Sequence, residues 1–284
     1  MSETAMPALN WLSDTPEAMR QAYNTARAAL ACDFPADVDQ FTLQEPRLSG
    51  LRFVPHGGGQ GAPVLYFHGG GWVIGSPETH RVLCAWMARL SGREVISVRY
   101  RLAPEHVFPA QPQDAIAALG AMIESRGACF VAGDSAGAAM ALWAESGIAV
   151  SQRPSVLGVV GLYGAFGLSD SRSMQTNAAA NPGLGKSEIH AIYRFLGLSD
   201  PLEIQDWIST LGAPVLLIRA GGDTLADDSD AGAALLKDRV VSLVDVPQQP
   251  HAFLQNVGHD PIARHEMERV AAWMAALESH PLQR

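Results

Sequence analysis

The stretch CFVAGDSAGAAMALWAE, residues 129–145, joins an apolar β-rich run to an alanine-rich helical run through a single serine between glycines. Its centre, GDSAG at 133–137, has the form Gly-x-Ser-x-Gly. Between a strand and a helix, this pattern places the serine on a sharp turn with its hydroxyl exposed above a sheet. We therefore predict that Ser135 is a nucleophile. The alternative is a glycine-rich turn with an incidental serine.

Outward from this turn, short apolar runs alternate with helical patterns. The candidate strands are 51–54, 64–67, 95–98, 129–133, 156–163, 215–220 and 240–246. The candidate helices are 15–31, 78–91, 110–125, 136–150, 226–238 and 261–278. Because apolar strands that alternate with helices are buried on both faces, the pattern predicts an α/β fold with a mostly parallel sheet.

Composition narrows the choice of partners and compartment. The chain has 284 residues, 48% of them hydrophobic and 17% charged, with a formal net charge of −9. Since Lys and Arg do not cluster, nucleic acid and anionic membrane are poor candidate partners. Cys32, Cys84 and Cys129 are far apart and odd in number, which argues against a disulfide framework or a zinc site. The first residues do not resemble a secretion signal, so we expect a cytoplasmic protein.

The string His-Gly-Gly-Gly occurs twice, at 56–59 and at 68–71. A serine nucleophile needs backbone N–H donors for the oxyanion, one of them from the residue after the serine, here Ala136. The second copy follows the candidate strand 64–67, so we predict that Gly70 and Gly71 supply the other donors. The first copy lies between two strands with no room for a helix and is predicted to be a connecting turn.

Two later residues are predicted to complete a catalytic triad, in the chain order Ser, Asp, His that accompanies this type of elbow. Asp223 comes just after the strand 215–220, and His251 lies in the loop after the last strand. Asp227 and Asp228 are rival acids, but they lie where a helix begins, and carboxylates favour that position. His68 is expected to brace its loop rather than act as the base.

A polar segment at approximately 165–206 interrupts the strand–helix alternation. With the N-terminal region, approximately 1–45, it is predicted to form a small cap over the site; a long disordered loop is the alternative. Trp72, Tyr163 and Phe253 are the candidate substrate-binding residues, with ordinary core packing as the alternative for each. A further expectation is that three charged residues form a buried network that braces the oxyanion loop. These are Arg101, Glu105 and Asp114.

Taken together, five stretches resemble the hormone-sensitive-lipase-like family of α/β-hydrolase carboxylesterases. They are HGGGWVIGS at 68–76, YRLAPEHVFPAQPQD at 100–114, GDSAGAAMA at 133–141, GGDTLADD at 221–228 and HAF at 251–253. The resemblance implies a single α/β-hydrolase domain with an eight-stranded, mostly parallel sheet, flanking helices and a small helical cap. The family's usual Asp-Pro-Leu and His-Gly-Phe are Asp-Thr-Leu and His-Ala-Phe here, and neither change removes a functional group.

The family implies the same roles for Ser135, Asp223 and His251 and for the three oxyanion donors. We accordingly expect a serine carboxylester hydrolase that acts on small or short-chain acyl esters through an acyl-enzyme, without metal or cofactor. An amidohydrolase of arylformamidase type is an alternative on the same triad. A non-catalytic ligand-binding receptor on this scaffold is a third reading. Dimers are common in the family, so both a homodimer and a monomer stay open.

Overall fold

A computed structural model of the protein describes residues 9–168, 170–199, 201–208, 211–236 and 241–279. These ranges contain one eight-stranded sheet with the order β1-β2-β4-β3-β5-β6-β7-β8. The strands are β1 Val38–Glu45, β2 Leu48–Pro55, β3 Val64–Phe67, β4 Val95–Val98, β5 Cys129–Asp134, β6 Val156–Leu162, β7 Val215–Ala220 and β8 Val241–Val246. The strands β3 to β8 are parallel, whereas β1 and β2 are antiparallel to their neighbours. The predicted fold class is confirmed.

Helices occupy the segments between the strands. They are α1 Pro16–Ala28, α2 Arg81–Ser91, α3 Ala110–Arg126, α4 Ala136–Gly147, α5 Arg172–Thr176, α6 Lys186–Phe195, α7 Ala226–Leu235 and α8 Pro261–Ser279. Short 3₁₀ segments cover Ala29–Asp33, Val150–Ser155, Ala178–Ala180, Pro201–Trp207 and Phe253–Asn256. Thr15 caps α1: its side chain accepts a hydrogen bond from the Ala18 N–H, and Pro16 fits the first turn.

The core lies on both faces of the sheet, and this explains the continuous apolar strands. Every residue of β3, β4 and β5 is buried. On β3, Leu65 and Phe67 face the cluster around α3 and α4, while Val64 and Tyr66 face the cluster around α2 and α8. Because both faces are covered, these strands have no polar alternation.

The first strand, β1, is absent from the candidate strands predicted from the sequence. In β1, only Val38 and Leu43 are buried, five positions apart, so neither strand nor helix periodicity is visible. The strand nevertheless pairs with β2 along its whole length. Residues 38–45, which the sequence assigns to the cap region, therefore belong to the sheet. Residues 1–8 of that predicted region lie outside the described residues.

The segment between β6 and β7 contacts the loops at the carboxyl edge of the sheet. Its helix α6 buries Ile189, Ile192 and Tyr193, at the spacing of one helix face. Positions 169, 200, 209 and 210 of this segment are outside the described ranges. Among the helices that are described, none combines the length and the apolar character that a bilayer crossing requires.

Candidate active site

The turn at Ser135 has the strained geometry that the motif predicts. Ser135 has φ 53° and ψ −119°, between the end of β5 and the start of α4. A Cβ on Gly133 would lie 2.1 Å from the Gly137 carbonyl oxygen, and one on Gly137 would lie 2.0 Å from the Phe67 carbonyl oxygen. Only glycine fits these two positions, so the two glycines allow β3, β5 and α4 to approach one another closely around the serine.

The three predicted triad side chains meet beyond the carboxyl ends of β5, β7 and β8. The Ser135 Oγ is 3.0 Å from His251 Nε2, and His251 Nδ1 is 2.7 Å from Asp223 Oδ2. Asp223 is fully buried, and its other oxygen accepts a hydrogen bond from the Leu225 N–H at 2.9 Å. The carboxylate can only accept, so Nδ1 carries the proton and Nε2 is free to accept the serine hydroxyl.

Two opposing effects determine the pKa of His251. Burial, the largest single cause, disfavours the charged imidazolium and lowers the pKa, whereas the charge and hydrogen bond of Asp223, with a contribution from the charge of Asp134, raise it. The net result is a pKa above the usual value of 6.5. Since the carboxylate stabilises the protonated ring, the imidazole is a stronger base toward the serine hydroxyl than an isolated buried histidine would be.

The loop at 68–71 presents backbone N–H groups beside the serine. The Gly70 carbonyl accepts hydrogen bonds from the N–H groups of Val73 and Ile74, which closes a tight turn. A Cβ on Gly70 would lie 2.3 Å from the Ile74 carbonyl oxygen, and its φ is +113°. Within the described part of the chain, the N–H groups of Gly70, Gly71 and Ala136 donate no hydrogen bond. These three donors are therefore available to a ligand.

Comparison with known proteins agrees with this geometry. A sequence model of the alpha/beta hydrolase fold family matches residues 64–255. The chain belongs to the α/β-hydrolase family. An acetyl-hydrolase from Streptomyces hygroscopicus is 31% identical to it over 204 residues, which cover 68% of each protein. An ethyl acetate hydrolase from Pseudomonas putida is 42% identical over 88 residues, 28% of each.

Solved structures resemble the hydrolase over nearly its whole length. An esterase from Pyrobaculum calidifontis has a TM-score of 0.81 and 27% identity, and the match covers 95% of each chain. An esterase of the bacterial hormone-sensitive lipase family has a TM-score of 0.82 and 26% identity, covering 93% of this chain and 92% of that one. The resemblance to hormone-sensitive-lipase-like esterases is confirmed.

Among the described residues, His68 of the hydrolase is hydrogen-bonded to its own loop and to no triad residue. It is buried, its Nδ1 lies 2.8 Å from the Gly69 carbonyl oxygen, and its ring stacks on Tyr100 with centroids 4.3 Å apart. Burial, followed by the charge of the neighbouring His80, lowers the pKa of His68 to about 3. The ring is therefore neutral at ordinary pH, as a structural brace requires.

Asp134 is the centre of a buried polar cluster that the sequence did not reveal. It accepts hydrogen bonds from the Tyr66 hydroxyl at 2.6 Å, the Gly69 N–H at 2.9 Å and the Gln255 amide at 3.2 Å. His80 Nε2 is 3.3 Å away. Burial alone would raise the pKa of Asp134, but these partners hold it well below its usual range. The cluster joins the elbow to the oxyanion loop and to the region after His251.

Two asparagines in the segment after β6 also contact the site. Asn177 donates to the Asp223 carbonyl oxygen at 2.9 Å, and the Asn181 side chain accepts from the His251 N–H at 2.7 Å. Asparagine is common in irregular polar segments, so its presence at these positions carries no signal of this contact. Only the folded segment shows it.

The rival acids have other partners. Asp228 is buried, and its Oδ1 accepts hydrogen bonds from the N–H groups of Phe166 and Leu168 at 2.8 and 3.2 Å. Burial raises the pKa of Asp228 from 3.8 to about 7. Asp227 accepts from the Ser173 N–H at 2.9 Å. Both carboxylates thus hold the start of the cap segment, and within the described ranges the carboxylate that contacts His251 is Asp223.

The candidate substrate-binding residues are all buried. Trp72 stacks on Trp143, with centroids 5.8 Å apart, and lies 6.3 Å from Tyr193 of α6. Tyr163 presents an edge-to-face contact to His251 at 5.2 Å, and Phe253 packs 5.8 Å from Tyr163. The last two therefore support the imidazole from the core side. Substrate contact by any of the three stays a prediction.

The expected buried network of three charged residues is wrong. Arg101 does pair with Asp114, but the two side chains are 42% and 25% exposed. Glu105 instead pairs with Arg20 of α1, and its side chain is 54% exposed. Arg20 also donates to the Val73 carbonyl oxygen at 2.8 Å. The contact with the segment after the oxyanion glycines thus comes from the N-terminal helix, which the local sequence could not indicate.

Proposed function

We propose that this hydrolase is a serine carboxylesterase that cleaves small or short-chain acyl esters through a triad of Ser135, His251 and Asp223. One observation carries the proposal: an unbroken hydrogen-bonded chain of 3.0 and 2.7 Å from hydroxyl to imidazole to buried carboxylate. This arrangement activates a hydroxyl that would otherwise be a poor nucleophile. The esterase names of its relatives support an ester as the substrate.

In the acylation step, His251 Nε2 takes the proton of Ser135 as Oγ attacks the ester carbonyl carbon. The negative charge that forms on the carbonyl oxygen is held by the N–H groups of Gly70, Gly71 and Ala136. Loss of one such donor typically costs about 10²–10³-fold in kcat. His251 then gives its proton to the departing alcohol, and the acyl group stays on Ser135.

Deacylation repeats these steps with water as the nucleophile. His251 removes a proton from water, the hydroxide attacks the acyl carbonyl, and the proton passes to Ser135 Oγ as the carboxylic acid leaves. Asp223 orients the imidazole and stabilises its charged form in both halves of the reaction. Each cycle consumes one ester and one water, and Ser135 and His251 return to their starting protonation states.

The packing of α6 over the oxyanion loop supports a preference for short acyl groups. A Cβ on Gly71 would be 3.1 Å from the Ile192 side chain, so α6 packs closely above the donors. Two of the relatives are named for acetyl or ethyl acetate hydrolysis. We therefore expect the acyl pocket to accept acetyl and butyryl groups better than long chains.

The test is a panel of p-nitrophenyl esters with acetyl, butyryl, octanoyl and palmitoyl groups, run beside N-formylkynurenine. We expect kcat/KM to fall with chain length and to be highest on an ester. Ser135→Ala should lower kcat by at least about 10³-fold. Ser125→Ala, which removes a hydroxyl on α3 bonded only to backbone carbonyls, is the matched control.

Four results would contradict the proposal. The first is activity that survives Ser135→Ala, and the second is the absence of a phosphonate adduct on Ser135 after treatment with a reactive organophosphate. Preference for the formamide over every ester would instead favour the arylformamidase type of activity. Tight binding of a small acid without turnover would favour a receptor.

A further inference from the structure

The side chain of Asn181 connects the cap segment to both loops that carry the base and the acid. Its Oδ1 accepts a hydrogen bond from the backbone N–H of His251 at 2.7 Å. Its Nδ2 donates to the carbonyl oxygens of Gly222 and Asn177, each at 2.8 Å. The residue is only 5% exposed, so these bonds form away from water. None of these partners is Asn181's neighbour in sequence.

The three hydrogen bonds of this side chain require an amide at position 181. The two carbonyl oxygens face the NH₂ group, and the single N–H donor faces the oxygen. A carboxylate of the same shape would accept from His251 but would oppose two carbonyl oxygens at hydrogen-bond distance. An alanine would leave one buried N–H and two carbonyls without this partner, at a cost for each group.

Asn177 extends the connection to the acid. Its Nδ2 donates to the carbonyl oxygen of Asp223 at 2.9 Å, and its own carbonyl receives one hydrogen of Asn181. The two asparagines therefore connect the backbone of the acid, Asp223, to the backbone of the base, His251. The acid and base loops also bond directly, through the Gly222 N–H and the Gln249 carbonyl at 2.9 Å. That bond lies two residues before His251 and leaves the N–H of His251 to Asn181.

Catalysis requires the imidazole of His251 to be correctly placed relative to two partners at the same time. Its ring must reach Ser135 at 3.0 Å and Asp223 at 2.7 Å. The Cα–Cβ direction of a residue is set by its own backbone, and a misplacement of about 1 Å can cost about 10²-fold in rate. A bond to the N–H of His251 itself therefore acts on the orientation of the imidazole more directly than bonds elsewhere in the loop.

We propose that Asn181 is a positioning residue for His251, through which the docked cap segment holds the base in register with Asp223 and Ser135. The inference rests on the proposed serine esterase function. Under this proposal, one cap segment has two roles. It covers the oxyanion loop through Ile192, and it holds the imidazole of His251. Displacing the cap thus opens the substrate site and loosens the base together.

The experiment compares Asn181→Ala and Asn181→Asp with Gln175→Ala on p-nitrophenyl acetate. Gln175 lies in the same cap segment, but it bonds to Asp170 at the surface, and within the described residues it makes no hydrogen bond to either loop. We expect both Asn181 variants to lower kcat by about 10–100-fold with KM within about twofold. Gln175→Ala should keep wild-type values of both constants.

A spectroscopic signature separates positioning from general loss of structure. The proton on His251 Nδ1, bound to Asp223 at 2.7 Å, should give a downfield proton resonance in the wild-type enzyme. In folded Asn181→Ala, we expect this resonance to broaden or shift, whereas in Gln175→Ala it should be unchanged. Circular dichroism and the urea midpoint establish that each variant is folded.

Should both Asn181 variants unfold, the wild-type enzyme still answers the question by hydrogen exchange. The His251 amide should exchange through the same opening as the amides of α6, because both depend on cap docking. Exchange of His251 that is independent of the cap would overturn the proposal. So would a wild-type kcat in Asn181→Ala, or a rise in KM with kcat unchanged.

The outcomes also distinguish this inference from the proposed function. If Ser135→Ala is inactive while Asn181→Ala keeps the wild-type kcat, the positioning role alone fails. If Ser135→Ala stays active, the assigned esterase mechanism fails. The Nδ1 proton resonance then still reports whether Asn181 orients His251.

Discussion

The two His-Gly-Gly-Gly strings of this hydrolase have the same four residues and opposite surroundings. Residues 56–59 lie in an exposed loop, where a Cβ added to Gly57 or Gly58 would meet nothing within 4 Å and one on Gly59 would lie 2.7 Å from the Glu94 nitrogen. In the second string, His68 and Gly69 are buried, Gly70 and Gly71 are half-buried, and a Cβ on Gly69 would lie 2.7 Å from Asp134. The difference shows that the string itself has no function apart from its place in the sheet.

The direction of the preceding strand decides at which edge of the sheet each string lies. In the antiparallel strand β2, Phe53 near the carboxyl end pairs with Val95 at the start of β4. In the parallel strand β3, the last residue Phe67 pairs with Val98 at the end of β4. The first string therefore leaves the sheet at the amino edge of the parallel strands. The second leaves at the carboxyl edge, where Ser135 lies and where ligands of open α/β sheets bind.

The largest difference is expected from Gly70→Ala against Gly58→Ala. The new Cβ at position 70 would collide with the Ile74 carbonyl at 2.3 Å, so the loop must move, and we expect the loss of at least one of the proposed oxyanion donors. We expect kcat on p-nitrophenyl acetate to fall by about 10²–10³-fold. At position 58, the cost is that of alanine at φ +86°, about 1 kcal/mol of stability, with kcat unchanged. Equal effects on kcat would remove the distinction between the loops.

A smaller difference is expected in stability between His68→Ala and His56→Ala. The His68 ring is buried and stacked on Tyr100, so its loss leaves a cavity worth about 2–4 kcal/mol. His56 is exposed and faces an equally exposed Asp39, so its loss should change stability by less than about 0.5 kcal/mol. Urea unfolding of the two variants measures both values. A stability loss at His56 as large as that at His68 would contradict the assigned surroundings.

The smallest expected effect is in the pH profile of kcat/KM. This profile also distinguishes most clearly which histidine acts as the base. Protonated His251 cannot accept the serine proton, so kcat/KM should fall as pH drops through its pKa, which lies above 6.5. His68, with a pKa of about 3, stays neutral across this range and adds no step. His56→Gln should leave the profile unchanged. An acid limb centred below pH 6.5, or one that moves in His56→Gln, would argue against His251 as the base.

Much of the fold and the triad could be predicted from the sequence because the signals are local. The glycines at 133 and 137, the apolar strands and the positions of Asp223 and His251 after strand ends all lie in short stretches. In such stretches, backbone preference and burial pattern are encoded by neighbouring residues. The structure brings these three side chains into one hydrogen-bonded chain.

The edge of the fold was harder to predict. The strand β1 is polar on most positions, because an edge strand needs little burial, and its pattern is therefore hidden. The pairing of Glu105 with Arg20 joins residues 85 positions apart, and the bond from His251 to Asn181 spans 70 positions. No local pattern selects one such partner among many polar residues.

The sequence by itself thus determined the parallel strands of the sheet, the strained serine turn and the order of the reactive residues, since each depends on short-range sterics and hydrophobic periodicity. Only the tertiary structure decided what pairs with Asp134, that Glu105 pairs with Arg20, and that Asn181 accepts a hydrogen bond from the N–H of His251. Those contacts depend on where separate loops meet at the carboxyl edge, and that is a property of the assembled chain.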